Sequence, residues 1–361
     1  VNLLSQYDVL VVDDSVFMRK IITDLINEDP QFRVVDTAKN GVEAVEKVRL
    51  LKPHVVTMDV EMPVMNGLAA LKSIMKYTPT PVIMLSSLTE DGAIETIKAL
   101  ELGALDFVRK PSGTISLDLY KVKDALMDKL RVAVRTSVVK MTAAIPIPAP
   151  PPLAPVPKEW NPSDKTSRIN QIIAIGTSTG GPRALHQVVS QLPGDLDAPV
   201  VIVQHMPPNF TKSLAQRLDS VSQLKVVEAE DGMKLQNGAA YIAPGGFHMV
   251  VVRDGSSGYN IRLSKEDPVS GHRPSVDKLF ASLVSLKELK RHIVIMTGMG
   301  SDGAKGMEAL HKTGALTTIA ESEETCIVYG MPRAAVELNC VSDLLPQYHI
   351  AGRLIQAVAA T

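Results

Sequence analysis

The chain has 361 residues, 45% of them hydrophobic and 21% charged, and a formal net charge of -1. That is too long for one typical core and ordinary in composition for a soluble globular protein, which excludes a largely disordered chain and implies two or more domains. The near balance of charge excludes bulk attraction to nucleic acid or anionic lipid, so partners have to be read from sites.

Asp8, Asp13 and Asp14 fall inside the first apolar stretch, which argues against a signal peptide, and no apolar span downstream reaches membrane length. A cytoplasmic protein with no membrane insertion and no nucleic-acid partner is expected. From Tyr7 to about Arg135 short apolar runs alternate with helical segments. Strands are expected at Val9 to Val12, Phe32 to Thr37, Val55 to Met58, Pro81 to Leu85 and Asp106 to Val108, with helices from Val16, Gly41, Gly67, Asp91 and Leu119. Such alternation implies a doubly wound parallel sheet, whose ligands bind beyond the carboxyl ends of the strands. Those ends carry Asp13 and Asp14, Asp59, Ser86 and Lys110. Three crowded acids repel one another unless a hard cation such as Mg²⁺ is held among them by oxygen ligands.

Residues 7–125 resemble a response-regulator receiver domain. The resemblance implies that Asp59 is the phosphoacceptor and that Asp13 and Asp14 form its acidic pocket. It also implies that Asp14, Asp59 and the backbone carbonyl of Glu61 hold Mg²⁺, which with Lys110 offsets charge on the transferring oxygens. By the same resemblance Ser86 bonds a phosphoryl oxygen and Phe107 swings inward as its partner, a switch triggered by new charge. Phe107 stands in place of the Tyr often found there, which keeps the ring and removes a hydroxyl.

Leu117 to Val139 reads as the receiver's last helix continuing outward, with Leu119, Val122, Leu126 and Leu130 near helical spacing. From Met141 to Pro162 Pro and Ala dominate, including Pro150, Pro151 and Pro152 in succession, and such a run acts as a semi-rigid polyproline spacer. The expected organisation is residues 1–125 as receiver, 126–168 as helical extension and linker, and 169–361 as a second α/β domain.

That second domain opens with the most informative stretch in the chain. Ile172 to Ile175 is a buried-strand run that breaks at Gly176 and passes through Thr177, Ser178, Thr179, Gly180, Gly181 and Pro182 into an amphipathic segment. Gly176, Ser178 and Gly180 fit GxSxG, and strand-turn-helix is the context that a nucleophile elbow requires. A phosphate-binding glycine loop is the alternative, but Ser178 replaces the glycine against which a pyrophosphate must pack, and no Lys follows as in a P-loop. Uninterrupted apolar runs at Val200 to Val203 and Ile293 to Met296 are expected to be central parallel strands. Shorter ones at Gly238 to Ala243, Met249 to Val252 and Ile261 to Leu263 suggest a hairpin or meander appended to that sheet.

By the strand-end rule His205 and Asp302 join Ser178 at one edge, supplying a base and an orienting acid. His272, in a polar loop beside Arg273, is a reserve base, and Asp302 could instead cap a helix starting near Gly303. No His or Cys pair has usable metal-ligand spacing, so no esterase cofactor is expected. The order Ser, His, Asp excludes an ordinary α/β-hydrolase. Cys326 and Cys340 lie in a region of helical and loop character, which makes a disulfide framework unlikely and a reducing compartment expected.

Gly176 to Pro182, Val203 to Pro207, His272 to Lys278 and Thr297 to Met307 together resemble the catalytic domain of chemotaxis methylesterases of the CheB family. The resemblance implies hydrolysis of glutamyl methyl esters on chemoreceptors, deamidation of some receptor glutamines, and a histidine kinase of the chemotaxis system as phosphodonor. It makes Ser178 the nucleophile, His205 the base and Asp302 the orienting acid, with backbone N–H groups around Thr179 and Met299 as candidates for the oxyanion hole. Thr177 stands where the family often has Ala. The fold expected is thus α/β throughout: a flavodoxin-like receiver and a Rossmann-like esterase domain with an appended β-hairpin, joined by a Pro-rich linker. In the simplest arrangement the receiver covers the mouth around Ser178 until Asp59 is phosphorylated. Rival readings keep the receiver and change the output to DNA binding or nucleotide binding; the long α/β second half without a basic recognition helix speaks against the former.

Overall fold

The computed structural model describes residues 6–87, 89–110, 116–136, 169–255 and 258–360. The chain falls into two compact units, Val1–Ala143 and Ala144–Thr361.

In the first unit the elements follow as β1 (Tyr7–Val12), α1 (Val16–Asn27), β2 (Phe32–Ala38), α2 (Gly41–Leu51), β3 (Val55–Asp59), α3 (Gly67–Tyr77), β4 (Val82–Ser86), α4 (Glu90–Glu101), β5 (Asp106–Arg109) and α5 (Ser116–Ala133). Every pairing is parallel, in the order β2-β1-β3-β4-β5. Val9 to Val12 and Val82 to Leu85 are wholly buried because helices cover both faces, which is why these strands read as apolar runs without alternation. The helices start where a short polar side chain can take an orphan N–H: Ser15, Asn40, Asn66 and Thr89 accept from Met18, Glu43, Ala69 and Gly92. Each such cap contributes about 1 kcal/mol. The strand order reverses between β1 and β3, so a crevice opens at their carboxyl ends.

Helix α5 ends at Ala133, where sequence spacing had suggested a continuation to Val139. Leu126, Leu130 and Ala133 are buried, and Arg131 and Lys129 pair with Asp29 and Asp106, so this part of the helix closes the core of the first unit. The Pro-rich run lies outside the described residues.

The second unit comprises β6 (Gln171–Thr177), α6 (Gly181–Val189), β7 (Val200–Gln204), α7 (Phe210–Val221), β8 (Lys225–Glu228), β9 (Ala239–Ile242), β10 (His248–Asp254), β11 (Gly258–Ser264), α8 (Val276–Leu283), β12 (Lys290–Ile295), α9 (Ala304–Lys312), β13 (Thr317–Glu321), α10 (Met331–Glu337), β14 (Asp343–Leu345) and α11 (Gln347–Ala359). Seven of these strands form a parallel sheet in the order β14-β13-β12-β6-β7-β9-β8, and β10 and β11 form a separate antiparallel hairpin. The expected grouping of Gly238 to Ala243 with that hairpin is corrected here. As β9 it pairs in parallel with both β7 and β8, and its four residues are buried because it is an inner strand.

From β6 the chain builds outward through β7, then returns to lay β12 on the other side of β6. The switch point of the sheet is therefore the β6/β12 boundary, where a doubly wound sheet leaves its crevice.

Candidate active site

Strand register brings the three candidate triad residues together. Gly176 and Thr177 pair with Val203 and Gln204, and Ile295 pairs with Gly176, so Ser178, His205 and the loop from Thr297 to Asp302 all lie just past the ends of adjacent strands. Backbone bonds continue the ladder into the loops: Ser178 N donates to Thr297 O at 3.0 Å and His205 N to Thr177 O at 3.2 Å. The turn after Ser178 needs its glycines. Gly180 has φ +81°, and Pro182 sits in the first turn of α6, where its missing N–H costs nothing. Gly298 has to be small, since a Cβ there would stand 2.8 Å from Ser178 Cβ, so the loop after β12 packs directly on the candidate nucleophile.

His205 Nε2 lies 2.8 Å from Asp302 Oδ2, and both side chains are buried. In the general triad template Nδ1 faces the acid. Here Nε2 does, and the buried Nδ1 has no hydrogen-bond partner among the described residues, which leaves it as the nitrogen available for a serine proton.

Asp302 is further held by the Ser275 hydroxyl and the N–H groups of Val276 and Asp277, at 2.9, 2.7 and 2.9 Å. It therefore caps the start of α8 and not the helix after Gly303. Burial opposes its charge, but the bond from His205 and the backbone N–H groups of Asp277 and Val276 outweigh burial and hold the carboxyl below its ordinary value. Its neighbour Asp277 goes the other way: burial, with the Asp302 charge adding to it, raises that carboxyl.

The reserve histidine is also at the site. His272 stacks on the His205 ring with centroids 3.8 Å apart and planes 9° from parallel. It sits on a tight turn in which Ser270 and Gly271 have φ of +53° and +80°, and Val269 and His272 exchange backbone bonds.

Several residues with no sequence motif hold the site together. Gln204 donates to the carbonyls of Ser178 and His205 and accepts from the Thr177 hydroxyl. The Thr297 hydroxyl bonds Thr179 O at 2.9 Å, and Thr297 N donates to the fully buried Glu321 at 2.8 Å, tying the nucleophile turn to the loop of Met299. Gln204 also fills the space in front of Gly181, where an added Cβ would fall 1.9 Å from its Oε1.

In the first unit Lys110 Nζ bridges Asp13 Oδ2 at 2.7 Å and Asp59 Oδ2 at 2.8 Å. Ligand atoms of Asp13, Asp14 and Asp59 lie within 4.8 Å of one another, a compact set of hard oxygen donors that fits a divalent cation. Burial pushes Asp59 up to about 6 against the pull of the Lys110 ammonium, and the charge of Asp13 adds to the rise. Lys110 is held protonated: burial works against its charge, but the two carboxylates more than compensate. The cleft is lined by Asp14, Asp59, Glu61, Ser87 and Lys110 among others. Ser86 is buried beside it, its hydroxyl directed to Ser87 O and Gly92 O and taking a bond from Thr96 at 2.7 Å. Phe107 is buried on β5.

Residues 173–354 match the CheB methylesterase family model and residues 9–119 the response regulator receiver domain model. The chain belongs to the CheB methylesterase family. It is 52% identical over 352 residues to a protein-glutamate methylesterase/protein-glutamine glutaminase of Geobacillus kaustophilus, covering 97% of this chain and 98% of the relative. A protein of the same name from Bacillus subtilis is 48% identical, again covering 97% and 98%. Among solved structures, the CheB methylesterase catalytic domain of Thermotoga maritima superposes with a TM-score of 0.50 at 45% identity, covering 52% of this chain and 98% of that one.

Proposed function

We propose that this family member is a phosphorylation-activated protein-glutamate methylesterase that hydrolyses glutamyl methyl esters on chemoreceptors and deamidates receptor glutamines. The observation that carries the reading is the convergence of Ser178, His205 and Asp302 at the switch point of a sheet whose relatives bear that name. Ser178 Oγ attacks the ester carbonyl while His205 Nδ1 takes its proton, and Asp302 stabilises the resulting imidazolium through Nε2. Charge on the carbonyl oxygen is met by the N–H groups of Thr179 and Met299. The C–O bond to the methoxy group breaks, His205 returns its proton, and methanol leaves an acyl-serine. Water then attacks with its proton going to His205, Ser178 recovers that proton, and glutamate is released. A glutamine side chain follows the same steps, with ammonia as the leaving group.

In the receiver, the Asp59 carboxylate accepts a phosphoryl group from the histidine kinase of the chemotaxis system. Asp13, Asp14, Asp59 and the Glu61 carbonyl would hold Mg²⁺, which would offset charge on the transferring oxygens. Lys110 is placed to do the same from the protein side, its ammonium already shared between two carboxylates. Ser86 and Phe107 read the new charge, which requires the Ser86 hydroxyl to leave Gly92 O.

Methanol release from methylated receptor, with and without acetyl phosphate, tests the reading. Release should rise with the phosphodonor and disappear in Ser178→Ala, which removes one hydroxyl and no core volume. Substantial turnover in that variant would sink the triad.

A further inference from the structure

One side chain touches both the nucleophile and the base segments. Gln204, 2% exposed at the end of β7, donates from Nε2 to Ser178 O at 3.0 Å and to His205 O at 3.2 Å, and its Oε1 accepts from Thr177 Oγ1 at 2.5 Å. These partners fix which way the amide faces. Carbonyls can only accept, so the NH₂ end must point at them, and the Thr177 hydroxyl is left to donate to Oε1. The amide fits only because residue 181 is glycine.

The Ser178 carbonyl belongs to the same planar peptide as the Thr179 N–H. Holding the oxygen therefore sets the direction of that N–H, and a donor on the oxygen draws electron density that makes the N–H a stronger donor. The Gly298–Met299 peptide is held in the same way, its Gly298 oxygen taking N–H bonds from Met331 at 2.9 Å and Gly330 at 3.2 Å at the start of α10. At Gly298 O the anchor is all backbone, whereas Ser178 O is held by one backbone donor, the Gly181 N–H at 2.8 Å, and by one side chain, the Gln204 amide at 3.0 Å.

We propose that Gln204 is a positioning residue of the hydrolysis: it aims and polarises the Thr179 N–H toward the oxygen that becomes negative, and Thr177 and Gly181 hold its amide in register. This rests on Ser178 being the nucleophile. A backbone donor lost outright from an oxyanion hole costs about 10²- to 10³-fold in kcat. Misaiming it should cost less, about 10- to 100-fold.

The test uses the full chain with acetyl phosphate and methylated receptor. Gln204→Glu keeps the shape and the acceptor for Thr177 but replaces the donor to Ser178 O; Gln204→Met removes the amide. Both should lose about 10- to 100-fold in kcat with KM within about twofold, and should lose affinity for phenylboronic acid, a mimic of the tetrahedral state, by a similar factor. Thr177→Ala removes only the brace on the amide and should lose about threefold, so the proposal remains testable if the Gln204 variants fail to fold. Folded Gln204 variants with kcat within twofold of the parent would overturn it. So would a kcat loss with unchanged boronate affinity, or an unaffected Thr177→Ala if that is the only variant that folds. Ser178→Ala run alongside separates the two readings: if it retains turnover the nucleophile assignment fails, whereas if it is inactive and the Gln204 variants are normal only the present inference fails.

Discussion

Asp302 serves four donors with two oxygens: His205 and Val276 N on Oδ2, the Ser275 hydroxyl and Asp277 N on Oδ1. An asparagine there keeps one acceptor oxygen and turns the other into a donor, so at least two buried N–H or O–H groups lose their partner. Asp302→Asn is expected to lower kcat by about 10⁴-fold, because an amide cannot stabilise the imidazolium and favours the wrong tautomer. It should also destabilise the catalytic unit by about 1–3 kcal/mol for each donor left unpaired, seen as a lower melting temperature. Activity within tenfold of the parent would reduce Asp302 to a helix cap. His272 invites a different substitution. Its parallel stack on His205 limits how far that ring can rotate about its one bond to Asp302, and aromatic pairs contribute about 0.5–1.5 kcal/mol beyond area. His272→Ala should therefore lose about three- to tenfold in kcat, and His272→Phe, which keeps a flat ring, should recover most of it. If phenylalanine proves no better than alanine, the ring plane is not what matters at this position.

At the scale of elements, one buried ring staples the strands that carry the site. His292 on β12 bonds Thr317 of β13 at 3.0 Å and Gln171 of β6 at 3.2 Å. Burial, with the charges of Arg353 and Lys290 adding to it, lowers this imidazole to about 4. A folded value below the ordinary 6.5 means that the unfolded chain takes up the proton first. Stability from this group is thus complete above about pH 6.5 and is lost as pH falls toward 4, by up to about 3 kcal/mol. Melting curves at pH 7 and pH 5 should show about 2 kcal/mol of that loss in the parent, and His292→Gln should flatten it; an equal pH slope in the variant would assign the loss to other groups.

Most central strands of both sheets were legible as apolar runs because they are covered on both faces, and the strand ends then pointed to Asp59, Ser178, His205 and Asp302. Both edge strands of the first sheet were expected too, but in the second sheet the inner strand Thr317–Glu321, with only Ile319 and Ala320 apolar, and the two edge strands were not. Lys225–Glu228 and Asp343–Leu345 are short and carry charged or half-exposed residues, so nothing local marks them as strands. The sheet membership of Ala239–Ile242 depends on β7 and β8, which no local window contains. Gln204, Ser275, Thr297 and Glu321 likewise escaped notice. A neutral amide, a hydroxyl or a lone carboxylate has no pattern of its own, and their roles appear only once the strands bring their partners within 3 Å or so.

For the molecule as a whole, activation by phosphorylation requires that the state of Asp59 change the free energy of reaction at Ser178. A modification that treats two states of the protein alike shifts nothing, so the unmodified receiver must either suppress the catalytic unit or fail to assist it. Suppression is the simpler expectation, because the catalytic unit carries its whole candidate triad, both candidate oxyanion peptides and their supports between residues 177 and 331. A relative's catalytic domain forms an ordered structure as a separate chain, so a fragment from Ile169 to Thr361 is expected to fold. That fragment should hydrolyse receptor esters faster than the unphosphorylated full chain, by about tenfold for each 1.4 kcal/mol of suppression, and nearly complete closure would need a bias of about 5 kcal/mol. Acetyl phosphate should bring the full chain toward the fragment's rate and leave Asp59→Ala at the low one. A fragment equal to or slower than the unphosphorylated protein would mean that the receiver does not inhibit, and that phosphorylation works by adding something the catalytic unit lacks.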